Sequence, residues 1–141
     1  MKLQSQDILK HVLFAGPDRR AKGGIASVTS IYEEALGPIT YLTTTRRGNK
    51  LLSALRFGLA LLQLPYYRLR GFRIIHAHGS VRGSWRRKCL LLDWAGLLGM
   101  RTIHHLHSGD MRTYFAAAGN EKAARNLRRR DAVVALTRSW Q

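Results

Sequence analysis

Two short stretches constrain this chain most. One is Arg73-Ile74-Ile75-His76-Ala77-His78-Gly79, an apolar run closing on two histidines and a glycine. The other, Arg101 to Gly109 (R-T-I-H-H-L-H-S-G), repeats the design, and the two together hold five of the six histidines. Side chains two apart on a strand share a face, so His76 pairs with His78, and His105 with His107. Strands of this kind, separated by helical patterns, predict a parallel sheet whose carboxyl edge forms a crevice for a ligand.

The remaining segments fit around that sheet. Ile8 to Ala15 reads as a first buried strand, stopped by Gly16-Pro17-Asp18. A basic loop, Arg19 to Gly24, leads into an amphipathic helix with apolar positions at Ile25, Val28, Ile31, Tyr32, Ala35 and Leu36, ended by Gly37-Pro38. Ile39 to Thr43 is a second strand and Thr44 to Lys50 a basic loop. Leu51 to Leu64 follows as a helix with Leu51, Leu55, Leu59 and Leu62 along one face, stopped by Pro65; Leu51, Leu55 and Leu59 are expected to meet the core, with a membrane surface as the competing reading. Phe72 to His78 is the third strand. Ser84 to Leu98 is a helix buried along Trp85, Cys89, Leu92 and Ala95, with Gly99 as its stop. Arg101 to His107 is the fourth strand. Two helices, Met111–Ala118 and Glu121–Arg129, flank Gly119-Asn120, and Ala132 to Leu136 is a fifth, buried strand. The expected architecture is one Rossmann-like α/β domain over residues 1–141, with a mostly parallel sheet of about five strands flanked by helices.

Charge narrows the partner. Lys+Arg outnumber Asp+Glu by 24 to 8, a formal charge of +16, which favours a phosphorylated ligand, an acidic membrane surface or nucleic acid. Nucleic acid ranks last, because the basic residues are scattered over several elements and no zinc-finger, RNP or basic-zipper pattern is present. Cys89 is the single cysteine and the amino terminus lacks an apolar h-region, so a reducing, cytoplasmic setting is expected. The longest apolar stretch, interrupted by Arg56, falls short of the roughly 20 residues that cross a bilayer. Arg46, Arg47, Lys50, Arg56, Tyr66, Tyr67, Arg68 and Arg70 beside it form a candidate surface for peripheral contact with the inner face of a membrane.

Three groups of residues carry candidate chemistry. Gly23-Gly24 opens a helix, where free N–H groups and the helix dipole suit a phosphate, and Arg19, Arg20 and Lys22 add positive charge; a plain turn is the competing reading. Arg82, Arg86, Arg87 and Lys88 crowd another helix start, where cations oppose the dipole. The histidine pairs admit three readings: zinc ligands, internally packed rings, or donors to a sugar hydroxyl or phosphate. Apart from Asp110, no nearby carboxylate or cysteine completes a zinc set, so no metal is expected. Ser108, His107 and Asp110 lie close together, but without a G-x-S-x-G elbow they are a weak basis for a triad.

Five segments in order (G-P-D-R-R-A-K-G-G-I-A-S-V, I-I-H-A-H-G-S, L-L-D-W-A, R-T-I-H-H-L-H-S-G-D and R-R-D-A-V-V-A-L-T) resemble the amino-terminal, acceptor-side domain of GT-B glycosyltransferases of family 4. The likeness runs from about Ile8 to Gln141. It implies a hexosyltransferase-type role in polysaccharide biosynthesis, moving a sugar from a nucleotide-sugar to a glycan or lipid-linked acceptor, with no cofactor beyond that donor. It implies that Gly23 and Gly24, with Arg19, Arg20 and Lys22, face the donor diphosphate. It places His107 beside the reacting sugar as the catalytic candidate, and His78, Ser108 and Asp110 on the acceptor edge. The family's last strand usually ends in Ser, where this chain has Thr137. Members also carry a carboxyl-terminal nucleotide-sugar domain with an E-x₇-E motif, which has no counterpart here. The chain is therefore expected to be a fragment or subunit, inactive without that domain. The alternative expectation is a non-catalytic basic module that docks on a membrane or a partner.

Overall fold

A computed structural model describes residues 7–20, 23–46 and 48–136. Lys22, Arg47 and Thr137 lie outside the described residues. The strands are β1 (Val12–Pro17), β2 (Thr40–Thr45), β3 (Ile74–Gly79), β4 (Arg101–Leu106) and β5 (Ala132–Ala135). The helices are α1 (Gly24–Leu36), α2 (Lys50–Leu69), α3 (Gly83–Leu97), α4 (Met111–Ala118) and α5 (Asn120–Arg128). The five strands form one parallel sheet in the order β2-β1-β3-β4-β5. This is the expected Rossmann-like α/β sheet. The order reverses between β1 and β3, the place where such sheets open a ligand crevice.

The two sheet faces differ in chemistry. On one face Leu13, Ala15, Leu42, Ile75 and Ala77 pack against Phe57, Ala60 and Leu64 of α2 and Leu91, Leu92 and Ala95 of α3. Leu106 continues that layer under Trp85, Cys89, Met111 and Ala123. The opposite face carries Phe14, His76, His78 and His105, with Tyr32 of α1 across it. Two glycines at the carboxyl edge are required by packing. A Cβ on Gly16 would sit 2.2 Å from the Tyr41 hydroxyl, and one on Gly79 would sit 2.7 Å from His104 Nε2.

Several expectations are corrected. β1 begins at Val12, not Ile8. Residues 7–9 are helical, Lys10 is paired with Asp7, the His11 amide bonds to the Ile8 carbonyl, and Ile8 is exposed. In α1, Ile31 and Ala35 face outward, while Thr29 is buried through a hydroxyl bond to the Ile25 carbonyl at 2.8 Å. Helix α2 starts at Lys50, where the Asn49 side chain caps the Leu51 amide, and it runs through Pro65 to Leu69. Proline cannot donate to the carbonyl four residues earlier. Here the Trp94 indole of α3 donates to that carbonyl, Leu61 O, at 3.1 Å.

Leu51, Leu55, Leu59 and Leu62 do not face the core. They are 51–75% exposed, and the buried positions are Phe57, Ala60 and Leu64. In α3 the expected stripe of Trp85, Cys89, Leu92 and Ala95 is buried, together with Leu91 and Lys88. β5 is an edge strand rather than a buried one, since Ala132 and Val133 are exposed.

Candidate functional site

The carboxyl ends of β1, β3 and β4 converge on an open pocket of about 240 Å³. Pro17, Ser80 and His107 come from the strand ends, and Gly23, Gly24 and Ile25 from the start of α1. The pocket therefore sits at the switch in strand order. Helix α1 opens without a side-chain cap and without an acidic residue in its first turn. Its first helical bond runs from Ser27 N to Gly23 O, so the N–H groups just before it have no intrahelical acceptor. Neither packing nor backbone angle demands glycine here. Gly23 is extended, and an added Cβ at either Gly23 or Gly24 meets nothing within 4 Å. What the two glycines provide is an open, donor-rich lip.

His107 forms the opposite wall and is anchored from below. Its Nε2 lies 2.8 Å from His78 Nδ1, and its ring stacks on His105 at 4.1 Å. His76 Nε2 lies 3.2 Å from His105 Nδ1, and His76 stacks on His78 at 4.7 Å. The strand register explains this grid: His78 pairs with His105 across β3 and β4, so both histidine pairs share one sheet face. Phe14 stacks on His76 from the β1 side. Burial, reinforced by the neighbouring rings, pushes His76 and His107 down to about 4. Burial pushes His78 lower still, and lowers His105 as well. All four rings are neutral near pH 7.

The remaining sequence candidates scatter. Arg19 pairs with Glu33 and lies over the Tyr41 ring. Arg20 lines a second cavity of about 350 Å³ with Asp18, Thr43, Arg46 and Arg56, away from His107. His78 is fully buried beneath His107 and does not line the pocket. The Ser108 hydroxyl accepts the Asp110 amide at 3.2 Å, a turn contact, and Asp110 precedes α4 on the surface. Among the proposed surface residues, Tyr67 packs on the core and Arg68 donates to the Leu98 carbonyl at 3.0 Å. Tyr66 stays exposed with Arg70 over its ring.

Two buried groups escaped the sequence reading. Lys88 is fully buried on α3 and donates to the Thr44 hydroxyl, and burial lowers it to about 7. Its place in a run of basic residues disguised it as solvated. His104, on the apolar face, stacks on Trp85 at 4.9 Å, and neither of its ring nitrogens has a hydrogen-bond partner among the described residues. The adjacent pair His104-His105 was the available signal, since neighbours on a strand must point to opposite faces.

Fold and site together define a Rossmann-like α/β domain with a histidine-walled pocket at its switch point. No family model, curated protein or solved structure matches the chain. No helix among the described residues is long and apolar enough to cross a membrane.

Proposed function

We propose that this chain is the acceptor-side half of a glycosyltransferase, acting on a nucleotide-sugar donor and a glycan or lipid-linked acceptor together with a nucleotide-sugar-binding domain or subunit. The observation that carries this reading is the meeting of Gly23, Gly24 and His107 around one pocket at the uncapped start of α1. Backbone N–H groups at a helix start stabilise the charge that develops on a departing diphosphate. A neutral imidazole at His107 can accept or donate a hydrogen bond to a sugar hydroxyl without repelling cationic neighbours. The test is sugar transfer and nucleoside diphosphate release, measured for the chain alone and for the chain co-expressed with nucleotide-sugar-binding domains. The reading expects no turnover alone and turnover with a partner, at least tenfold weaker in His107→Ala. Turnover indifferent to that change sinks it.

A second reading, a module that docks peripherally on a cytoplasmic membrane face, is favoured by one observation. Leu51, Leu55, Leu59, Leu62, Tyr66 and Leu69 form an exposed stripe along α2 at helical spacing. Arg56 and Arg70 lie on the same helix and at its end. Apolar residues backed by cations suit an anionic bilayer surface. Sedimentation with anionic and neutral vesicles separates this from a protein-binding face, which would be indifferent to lipid charge.

A further inference from the structure

We propose that His76, His78 and His105 form a binding site for one divalent transition-metal ion of the zinc type, with His107 between the ion and the open pocket. Three independent features converge on this site. The ligand nitrogens of His76, His78 and His105 all lie within 4.8 Å of one another. Tetrahedral zinc with imidazole nitrogens at 2.0–2.1 Å sets those nitrogens roughly 3.3 Å apart, so ring rotations of an ångström or so close the site. The His76–His105 contact, at 3.2 Å, already has that spacing.

The second feature is an unsatisfied atom. His78 is fully buried, and its Nε2 has no hydrogen-bond partner among the described residues. Its Nδ1 is engaged by His107, so either tautomer leaves Nε2 stranded, as a bare lone pair or as an unpaired N–H. A buried polar atom left unpaired is costly, and a metal ion bound there removes the cost. The third feature is enclosure. Tyr32 of α1 lies 5.8, 6.0 and 6.3 Å from the His76, His78 and His105 rings, roofing the trio.

The rings are also in the ligating state. Burial keeps them neutral at physiological pH, and metal ligation needs the unprotonated imidazole. Three neutral imidazoles with one open position are a known zinc donor set, and imidazole nitrogen favours zinc, copper, nickel or iron over magnesium or calcium. The absence of a carboxylate, which argued against metal from the sequence, leaves the ion's charge to be offset by a bound hydroxide or by an anion from the pocket that His107 lines. This site stands on the β3–β4 register and does not depend on sugar transfer.

The test uses the untagged full chain, stripped with a chelator, then loaded separately with Zn²⁺ and Co²⁺ and freed of excess by gel filtration. The expected result is one retained equivalent, with the visible spectrum of low-symmetry, nitrogen-ligated Co²⁺. His78→Gln and His105→Gln should each lose that equivalent, while His11→Gln, at the remote His11–Gly71 contact, should keep it. If the two site variants fail to fold, the imidazole nitrogen resonances of the wild-type chain decide the matter. One equivalent of Zn²⁺ must then shift those of His76, His78 and His105 but not those of His11. No retained equivalent, an octahedral Co²⁺ spectrum, retention unchanged in folded site variants, or unmoved resonances at the three rings overturns the assignment.

Discussion

Lowering the pH should dismantle this fold by an amount that its buried histidines fix. His76 and His104 are pushed down by burial to about 4 and about 3, and His78 is lowered further by the same cause. An unfolded chain holds histidine near 6.5. From pH 6.5 downward the unfolded state therefore binds protons that the native state refuses. The contribution is fully retained above pH 6.5, falls as the pH drops, and levels off below the folded-state values. At pH 5.5 each such ring costs about 1.4 kcal/mol, or about 4 kcal/mol for the three, as an upper limit because the rings influence one another. His107 is partly exposed, and solvent screening makes its share small. That sum is a large part of the roughly 5–15 kcal/mol that holds a domain folded. Urea unfolding of chelator-treated protein should therefore show the midpoint dropping steeply between pH 7 and 5.5. His104→Leu, which removes a titrating ring without opening a void, should flatten the drop by about a third. A midpoint that moves by less than 1 kcal/mol equivalent over this range refutes the picture of neutral, buried histidines.

Other outcomes follow from single contacts. Trp94→Phe should cost about 0.5–1 kcal/mol by removing the donor to the Leu61 carbonyl, and Pro65→Ala should largely abolish that cost by restoring the missing amide donor, as a double-mutant cycle in urea would show. Lys88, held to about 7 by burial, is neutral in the fold and charged in the unfolded chain between pH 7 and roughly 10. Native stability should rise by up to about 1.4 kcal/mol per pH unit across that window, and Lys88→Met should remove the slope. Gly24→Asp, in open space at the uncapped start of α1, should raise thermal stability by roughly 0.3–1 kcal/mol while repelling phosphate, so stability and ligand binding move in opposite directions. Leu55→Glu with Leu62→Glu should leave folding intact, because both side chains are exposed, and should abolish any vesicle binding seen in sedimentation.

The sheet was legible because its strands end in turn-forming glycines and are separated by helical periods, which is local information. β3, β4 and the buried stripe of α3 follow from it directly. The failures share a different cause, namely long-range contacts. Pro65 should break a helix, yet the helix runs through it, and the Trp94 indole, distant in the chain, donates to the Leu61 carbonyl that the proline leaves without an amide donor. The leucine period of α2 was correctly helical, but periodicity does not say which side of a helix faces the sheet. Phe57, Ala60 and Leu64 take that contact, packing into the core with Leu42 and Ile75 of the sheet. Lys88 looked solvated among arginines until the fold placed Thr44 of β2 against it. In the candidate site, Gly23, Gly24 and His107, which the family resemblance singled out, line one pocket because all three lie at element ends. The sequence could suggest that the two histidine pairs act together but not which rings meet, since that depends on the β3–β4 register, and single-strand spacing cannot supply it.

The most direct test of the central claim is a titration of isotope-labelled protein with a nucleoside diphosphate, followed by amide and imidazole resonances. If the pocket is a diphosphate cradle, the Gly24 and Ile25 amides and the His107 ring shift together and saturably, and Gly24→Asp removes the response. Silence at those resonances, or shifts confined to the Arg20, Arg46 and Arg56 cavity, contradicts the assignment of this pocket to a nucleotide-sugar.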